Sequence, residues 1–130
     1  MARILVVDDE ESIRKIFQLY LTQEGHSVEV AADGELAFKM VRQMPFDLVI
    51  TDIFMPNKDG LQLIRDLRSE LPAIKIIALS GGSRRFDLNT LQTAGHLGAS
   101  AILDKPVDIF KFSQAIQAVL GGAQAENGKG

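Results

Sequence analysis

The chain has 130 residues, a size typical of one globular domain, and its 46% apolar and 24% charged residues are close to the averages for proteins with a packed core. A net charge of -3 at pH 7, with no basic run longer than the pair Arg84 and Arg85, argues against direct nucleic-acid binding. The absence of cysteine excludes disulfides and thiolate metal sites but does not favour any compartment. Because no apolar run approaches the roughly 20 residues that span a bilayer, and the first residues do not have the pattern of a secretion signal, we expect no membrane contact and a cytoplasmic location.

Short apolar runs rich in β-branched residues alternate with segments of helical periodicity, which is typical of an α/β fold with a parallel sheet. Nearly continuous Val, Ile and Leu runs predict strands that are covered on both faces. The predicted strands are, in chain order, residues 4–7, 27–31, 48–51, 74–79 and 101–103. Apolar and polar residues alternate in the second strand, which suits an edge of the sheet.

Amphipathic segments follow each of these strands, and glycine or proline marks most of their ends. The predicted helices are, in chain order, one ending at Gly25, one from about Gly34 to Pro45, one from about Gly60 to Pro72, one over about 88–97, and one from about Val107 to Gly121. Helical spacing predicts two inward stripes, namely Ile13, Ile16, Phe17, Tyr20 and Leu21 in the first helix and Ile109, Phe112, Ile116 and Val119 in the last. We expect residues 1–121 to form the domain and residues 122–130 to be a flexible tail or the start of a linker.

Chemically reactive side chains follow four of the predicted strands. Asp8 and Asp9 follow the first strand, Asp52 the third, Ser80 the fourth and Lys105 the fifth. Because parallel strands of one sheet end at the same edge, where ligands of such sheets bind, we expect these groups to meet.

Taken singly, each of these residues has an ordinary structural interpretation. Asp8 and Asp9 could cap a helix, Ser80 could form a turn, and Lys105 could be a solvated cation. Clustering argues otherwise, because two carboxylates about 5 Å apart repel by about 3 kcal/mol at an effective dielectric constant of ~20. A cation would offset this repulsion. Oxygen ligands with no histidine or cysteine nearby favour Mg²⁺.

Four segments carry a specific likeness, namely VVDDE, DLVITDIFMPNKDG, ALSGG and GASAILDKP. Through them, and along almost its full length, the chain resembles the receiver domain of bacterial two-component response regulators. The resemblance implies a doubly wound, five-stranded parallel sheet of order 2-1-3-4-5, which is the flavodoxin-like (βα)5 fold. It also implies a signalling protein whose only chemistry is its own phosphorylation and autodephosphorylation, and not an enzyme.

The resemblance assigns a role to each acidic residue. Asp52 matches the phosphoacceptor, which takes a phosphoryl group from a histidine kinase or a histidine phosphotransfer protein and signals to a downstream protein effector. Asp9, Asp52 and the backbone carbonyl of Phe54 match direct Mg²⁺ ligands. Asp8 matches an acid of the metal site that acts chiefly through water.

Other matched positions concern the switch. Ser80 matches a hydroxyl that bonds a phosphoryl oxygen, Lys105 matches a lysine that pairs with another such oxygen, and the bond between Lys105 and Pro106 matches a cis peptide. Ile102 stands where the family usually has Tyr or Phe, so a rotating ring cannot serve as the switch. Asp104 neighbours Lys105, but alternation along a strand predicts that it lies outside the site.

Three other functions share some of these features. A phosphatase of the haloacid-dehalogenase type also uses an aspartate, Mg²⁺, Ser or Thr and Lys, but it needs Asp-x-Asp after the first strand, where this chain has Asp8, Asp9 and Glu10. A flavodoxin-like cofactor site needs a neutral phosphate-binding loop there, and three carboxylates would repel a phosphate. A pseudo-receiver, which is an interaction module without phosphorylation, remains the main alternative.

Overall fold

The computed structural model describes residues 2–53, 60–81, 95, 98–105 and 107–121. The strands are β1 (Arg3–Val7), β2 (Ser27–Ala31), β3 (Leu48–Asp52), β4 (Lys75–Gly81) and β5 (Ala101–Lys105). The helices within the described ranges are α1 (Glu11–Gln23), α2 (Gly34–Gln43), α3 (Gly60–Glu70) and α4 (Ile109–Leu120). Of the helix predicted over 88–97, only Gly95 is described, and it is helical.

All strand pairs are parallel, and the sheet order is β2-β1-β3-β4-β5. The predicted fold class and strand order are therefore confirmed, and β2 lies at an edge as its alternating pattern indicates. The strand order reverses direction between β1 and β3. At such a point the connections leave the two carboxyl ends on opposite sides, which opens a crevice.

Helices cover both faces of the sheet. One core cluster joins α2 and α3 to alternate strand residues, namely Leu5, Val7, Val49, Ile76 and Ala78. The other joins α1 and α4 to the intervening residues, namely Ile4, Val6, Ile50, Ile77 and Leu79. Each fully buried aliphatic side chain of this kind stabilises the fold by roughly 1.5–3 kcal/mol. The same alternation determines on which face of the sheet each side chain at a strand end lies.

The helix ends follow local chemistry. Gly25 has a φ of 97° and ends α1 in a Schellman motif, in which the N–H of His26 donates to Leu21 O and the N–H of Gly25 donates to Thr22 O. Helix α4 begins at Ile109, two residues later than predicted, because the Asp108 side chain caps it by accepting from the N–H groups of residues 110 and 111.

Two residues of the predicted inward stripes are placed differently by the structure. Ile16 is 53% exposed and Ile109 is 42% exposed, so their assignment to the inward faces of α1 and α4 was wrong. The rings of Phe17 and Phe112 instead join these helices, with their centroids 4.6 Å apart and their planes at 20°. Within the described ranges, no helix is both long enough and apolar enough to cross a bilayer.

The predicted strand ends were too early for three of the five strands. Asp52 is paired with Leu79, and Ser80 is paired with Asp104, so these residues lie inside strands and do not follow them. Lys105 is likewise the last residue of β5. Polar side chains end an apolar run in the sequence, but the parallel hydrogen-bond ladder continues through their backbones.

Candidate functional site

Three aspartates form an acidic cluster at the carboxyl edge of the sheet, in the crevice between β1 and β3. Asp8 and Asp9 directly follow β1, and Asp52 ends β3. One carboxylate oxygen from each lies within 4.8 Å of the others. Asp8 is fully buried and Asp52 is 5% exposed, whereas Asp9 is exposed to solvent. Two carboxylates of the cluster are therefore buried, and the third is accessible to solvent.

Lys105 supplies a positive charge to this cluster from β5. Its Nζ lies 2.9 Å from Asp8 Oδ2 and 3.1 Å from Asp52 Oδ2, and its side chain is only 10% exposed. Burial alone would lower the pKa of Lys105, but the carboxylates of Asp8 and Asp52 outweigh it and hold that pKa above its ordinary value. Lys105 is therefore a fixed ammonium group at neutral pH.

The single positive charge of Lys105 neutralises only part of the negative charge of this cluster. Two buried carboxylates share Lys105, and the exposed Asp9 adds a third negative charge. Among the described residues, Asp8 Oδ2 accepts no aligned hydrogen bond, although it makes the ion pair with Lys105. A buried acceptor of this kind, in a set made only of oxygen ligands, fits a hard divalent cation such as Mg²⁺.

Asp8 is held in place from several directions. Its Oδ1 accepts from the N–H of Glu10 at 2.9 Å, and its backbone carbonyl accepts from Arg14 Nη1 at 2.7 Å. The first bond closes a turn just before α1, but Glu10 is the N-cap and no side chain caps that helix, so the structural interpretation of Asp8 as a helix cap was wrong. Because only Oδ1 is used in this way, Oδ2 faces the cluster.

The backbone around Asp52 is held by a close approach of α3. The N–H of Gly60 donates to Ile53 O at 2.8 Å, and the Thr51 hydroxyl donates to Asp52 O at 2.9 Å. A Cβ added at Gly60 would collide with the carbonyl oxygen of Asp52 and would lie 2.6 Å from Ile53 Cα. Gly60 is therefore required by this approach and not only by the start of a helix.

Ser80 belongs to the same edge but makes a different contact. It is fully buried, and its hydroxyl lies 3.2 Å from Asp104 Oδ1, to which it donates. Asp104 is outside the acidic cluster, as alternation predicts, yet it is bonded to a residue that we predicted to belong to the site. Ile102 is half-buried and packs against the α2 and α3 side of the core.

The sequence-predicted site residues thus fall into three groups. The structure brings Asp8, Asp9, Asp52 and Lys105 together. It places Ser80 in a hydrogen bond with Asp104 of the neighbouring strand. Phe54 and Pro106, and with them the predicted carbonyl ligand and cis peptide, lie outside the described residues.

Sequence reasoning missed the roles of Arg14, Gly60 and Asp104 around this site. For Gly60 a usable signal was present, because a glycine at a predicted helix start after a turn-rich segment allows close backbone approach. The contacts of Arg14 and Asp104 depend on side-chain reach and strand register. Local sequence periodicity indicates neither the reach of a side chain nor the register of a strand.

Comparison with known proteins agrees with this geometry. Residues 4–117 match the family described as the response regulator receiver domain. The chain is 36% identical over 120 residues to the probable chemotaxis protein CheY of Rhizobium etli, with 92% of each chain covered. It is 37% identical over 128 residues to the probable transcriptional regulator ycf27 of Cyanidium caldarium, with 97% of this chain and 49% of that protein covered.

A solved structure gives the same result for the fold. The receiver domain protein of Methanospirillum hungatei JF-1 superposes with a TM-score of 0.90 at 28% identity, covering 97% of this chain and 98% of that one. The chain therefore belongs to the response regulator receiver family, which is a family of signalling domains. It spans about half the length of most of the curated relatives described as transcriptional or response regulators.

Proposed function

We propose that this domain is a phosphorylated switch in which Asp52 accepts a phosphoryl group from a histidine kinase or a histidine phosphotransfer protein. The main observation behind the proposal is the position of the Asp52 carboxylate, which lies 3.1 Å from a buried ammonium and belongs to the acidic cluster with two further carboxylates. Such a charge arrangement suits transfer of a phosphoryl group, whose oxygens need neutralisation, better than it suits structural stability.

The transfer step forms one bond and breaks one. A carboxylate oxygen of Asp52 attacks phosphorus, the P–N bond to the donor imidazole breaks in line with it, and the nitrogen keeps the bonding electron pair. The product is an aspartyl phosphate, and water later hydrolyses it to restore the carboxylate. Lys105 stabilises the charge on the transferred oxygens because its ammonium already lies beside Asp52.

The acidic cluster would hold the metal ion that this chemistry needs. Asp9 and Asp52 are the proposed direct ligands, Asp8 acts through water, and the buried Asp8 Oδ2 is the acceptor that fits this role. When bound, Mg²⁺ neutralises phosphoryl oxygens and the carboxylates around them. Asp8, held through its Oδ1 and its backbone carbonyl, keeps its other oxygen directed toward that position.

Phosphorylation would change the conformation of the domain, and a protein partner would recognise the changed surface. The new group adds about -1 to -2 units of charge at the end of β3. Ser80, at the end of the neighbouring strand, is the proposed group that responds by bonding a phosphoryl oxygen, with Ile102 filling the place of a switch aromatic. We propose a cytoplasmic domain over residues 1–121 with a protein effector downstream and no nucleic-acid contact of its own.

The proposal is tested by intact-mass analysis after incubation with acetyl phosphate and Mg²⁺. We expect one phosphoryl adduct on the wild type and none on Asp52→Asn. Asp108→Asn is the matched control, because Asp108 is exposed and asparagine caps a helix about as well as aspartate does. No adduct on the wild type would favour the alternative, a pseudo-receiver interaction module. An adduct that survives Asp52→Asn would contradict the assignment of the phosphoacceptor.

A further inference from the structure

The Ser80 hydroxyl already has a hydrogen-bond partner in the structure. Ser80 and Asp104 are register partners in the parallel strands β4 and β5, so their side chains leave the sheet on the same face. The hydroxyl donates to Asp104 Oδ1 at 3.2 Å, and Ser80 is fully buried. Because a hydroxyl carries a single proton, this bond uses its whole capacity to donate.

That face is not the face of the acidic cluster. Along β4, Ile76 and Ala78 pack with α2 and α3, and Ser80 continues the same alternation. Along β3, Leu48 and Ile50 pack with α1 and α4, and the Asp52 side chain lies on that same face because it is two residues further along the strand. The Ser80 hydroxyl therefore donates either to Asp104 on one face or to a group attached to Asp52 across the sheet edge, but not to both at once.

We propose that Asp104 is a positioning residue that latches Ser80 in the resting state and so sets how readily the domain adopts its phosphorylated arrangement. The inference rests on the proposed function. A buried hydroxyl that loses its hydrogen-bond partner is unfavourable, so the contact with Asp104 stabilises the position that Ser80 has here. Any phosphoryl group on Asp52 must compete with Asp104 for the same proton. The latch thus lowers the apparent affinity of the site for a phosphoryl group.

The test measures binding of fluoroberyllate, a phosphoryl mimic, to the full chain in Mg²⁺ by titration in two-dimensional ¹H–¹⁵N NMR. Asp104→Val removes the acceptor at an exposed position, and we expect it to bind fluoroberyllate about tenfold more tightly than the wild type. Asp104→Asn loses the charge but keeps an oxygen acceptor, so we expect its affinity to stay within about twofold of the wild type. This comparison separates the hydrogen bond from a general effect of charge.

A double-mutant cycle makes the test specific to the contact. In a Ser80→Ala background, Asp104→Val should change the affinity by less than about twofold, because the proton that Asp104 holds is gone. An equal gain in both backgrounds would overturn the latch, as would an unchanged affinity in Asp104→Val. Absence of Asp52-dependent fluoroberyllate binding in the wild type would instead overturn the proposed function and the latch together. Asp52→Asn is therefore titrated alongside.

Discussion

Lys105 Nζ donates to Asp52 Oδ2 at 3.1 Å, although the two residues are 53 positions apart in the chain and lie on strands that are separated by β4. The same ammonium lies 2.9 Å from Asp8. Lys105 therefore stands where it can neutralise the carboxylates before any phosphoryl group arrives. In the proposed function it would also compete with a metal ion for them.

Replacing Lys105 with methionine keeps the side-chain length and removes the charge. Two buried carboxylates then lose the ammonium of Lys105, so in a chelator we expect the free energy of unfolding to fall by about 3 kcal/mol. Mg²⁺ should restore more stability to Lys105→Met than to the wild type, because the metal ion no longer competes with the ammonium. Chemical denaturation with and without Mg²⁺ measures both effects.

Lys111→Met is the matched control, because Lys111 is exposed on α4. We expect it to change the free energy of unfolding by less than about 0.5 kcal/mol in either condition. Equal stability of Lys105→Met and the wild type in chelator would contradict the importance of this ion pair.

Gly60 allows α3 to approach the backbone of Asp52. Gly60→Ala should destabilise the fold by about 3 kcal/mol, because the atoms that a Cβ would meet are backbone atoms that cannot move aside. Gly95→Ala is the control, since nothing lies within 4 Å of a Cβ there, and we expect it to be neutral or to stabilise by up to about 1 kcal/mol. Thermal denaturation of both variants measures these effects. An unchanged stability of Gly60→Ala would show that α3 does not approach the Asp52 backbone closely.

Asp9 offers the clearest separation of metal binding from folding. Asp9 is exposed and adds a negative charge to the acidic cluster, so Asp9→Asn should not lower the stability in chelator, while it lowers the Mg²⁺ affinity by about tenfold. Glu10→Gln removes a neighbouring exposed charge that forms no side-chain cap on α1, and we expect less than about a threefold effect. Calorimetric titration with Mg²⁺ gives both affinities. Equal losses in the two variants would mean that Asp9 acts through general charge alone.

His26 should make the stability depend on pH. Its Nδ1 accepts from the N–H of Ala2 at 3.0 Å, and burial lowers its pKa below the ordinary value of 6.5. The unfolded chain therefore binds a proton more readily than the folded protein does. The contribution of His26 is complete above pH 6.5 and declines as the pH falls from there through the lower folded pKa.

The corresponding comparison uses His26→Asn, which keeps an acceptor and does not titrate. Between about pH 7.5 and pH 5.5, the melting temperature of the wild type should fall more than that of His26→Asn. Parallel melting temperatures across this range would count against the assigned role of His26.

The sequence was sufficient to predict the fold because its signals are local and agree with one another. Apolar runs, glycine ends such as Gly25 and prolines between segments all indicate alternating strands and helices, and the family resemblance adds the strand order. The inward stripes were less reliable. Ile16 has the right spacing in α1 but lies at the margin of its buried face, and periodicity alone does not say how far a neighbouring helix extends.

The site was predictable in outline for a different reason. In a parallel sheet the carboxyl ends must share an edge, so Asp8, Asp52 and Lys105 could be expected to meet before any distance was known. The partner of Ser80 could not be predicted in the same way. It depends on the register of β4 against β5, which pairs Ser80 with Asp104, and a shift of one residue would have removed the contact.

If Asp52 is the phosphoacceptor, as proposed, chemical trapping of the acyl phosphate identifies the residue that carries the phosphoryl group. Reduction with borohydride after incubation with acetyl phosphate and Mg²⁺ converts a phosphorylated aspartate to homoserine, which tandem mass spectrometry locates. We predict homoserine at position 52 alone, and none when Mg²⁺ is chelated. Homoserine at position 8 or 9, or an unmodified position 52 in a protein that carries the adduct, would show that another residue is the phosphoacceptor.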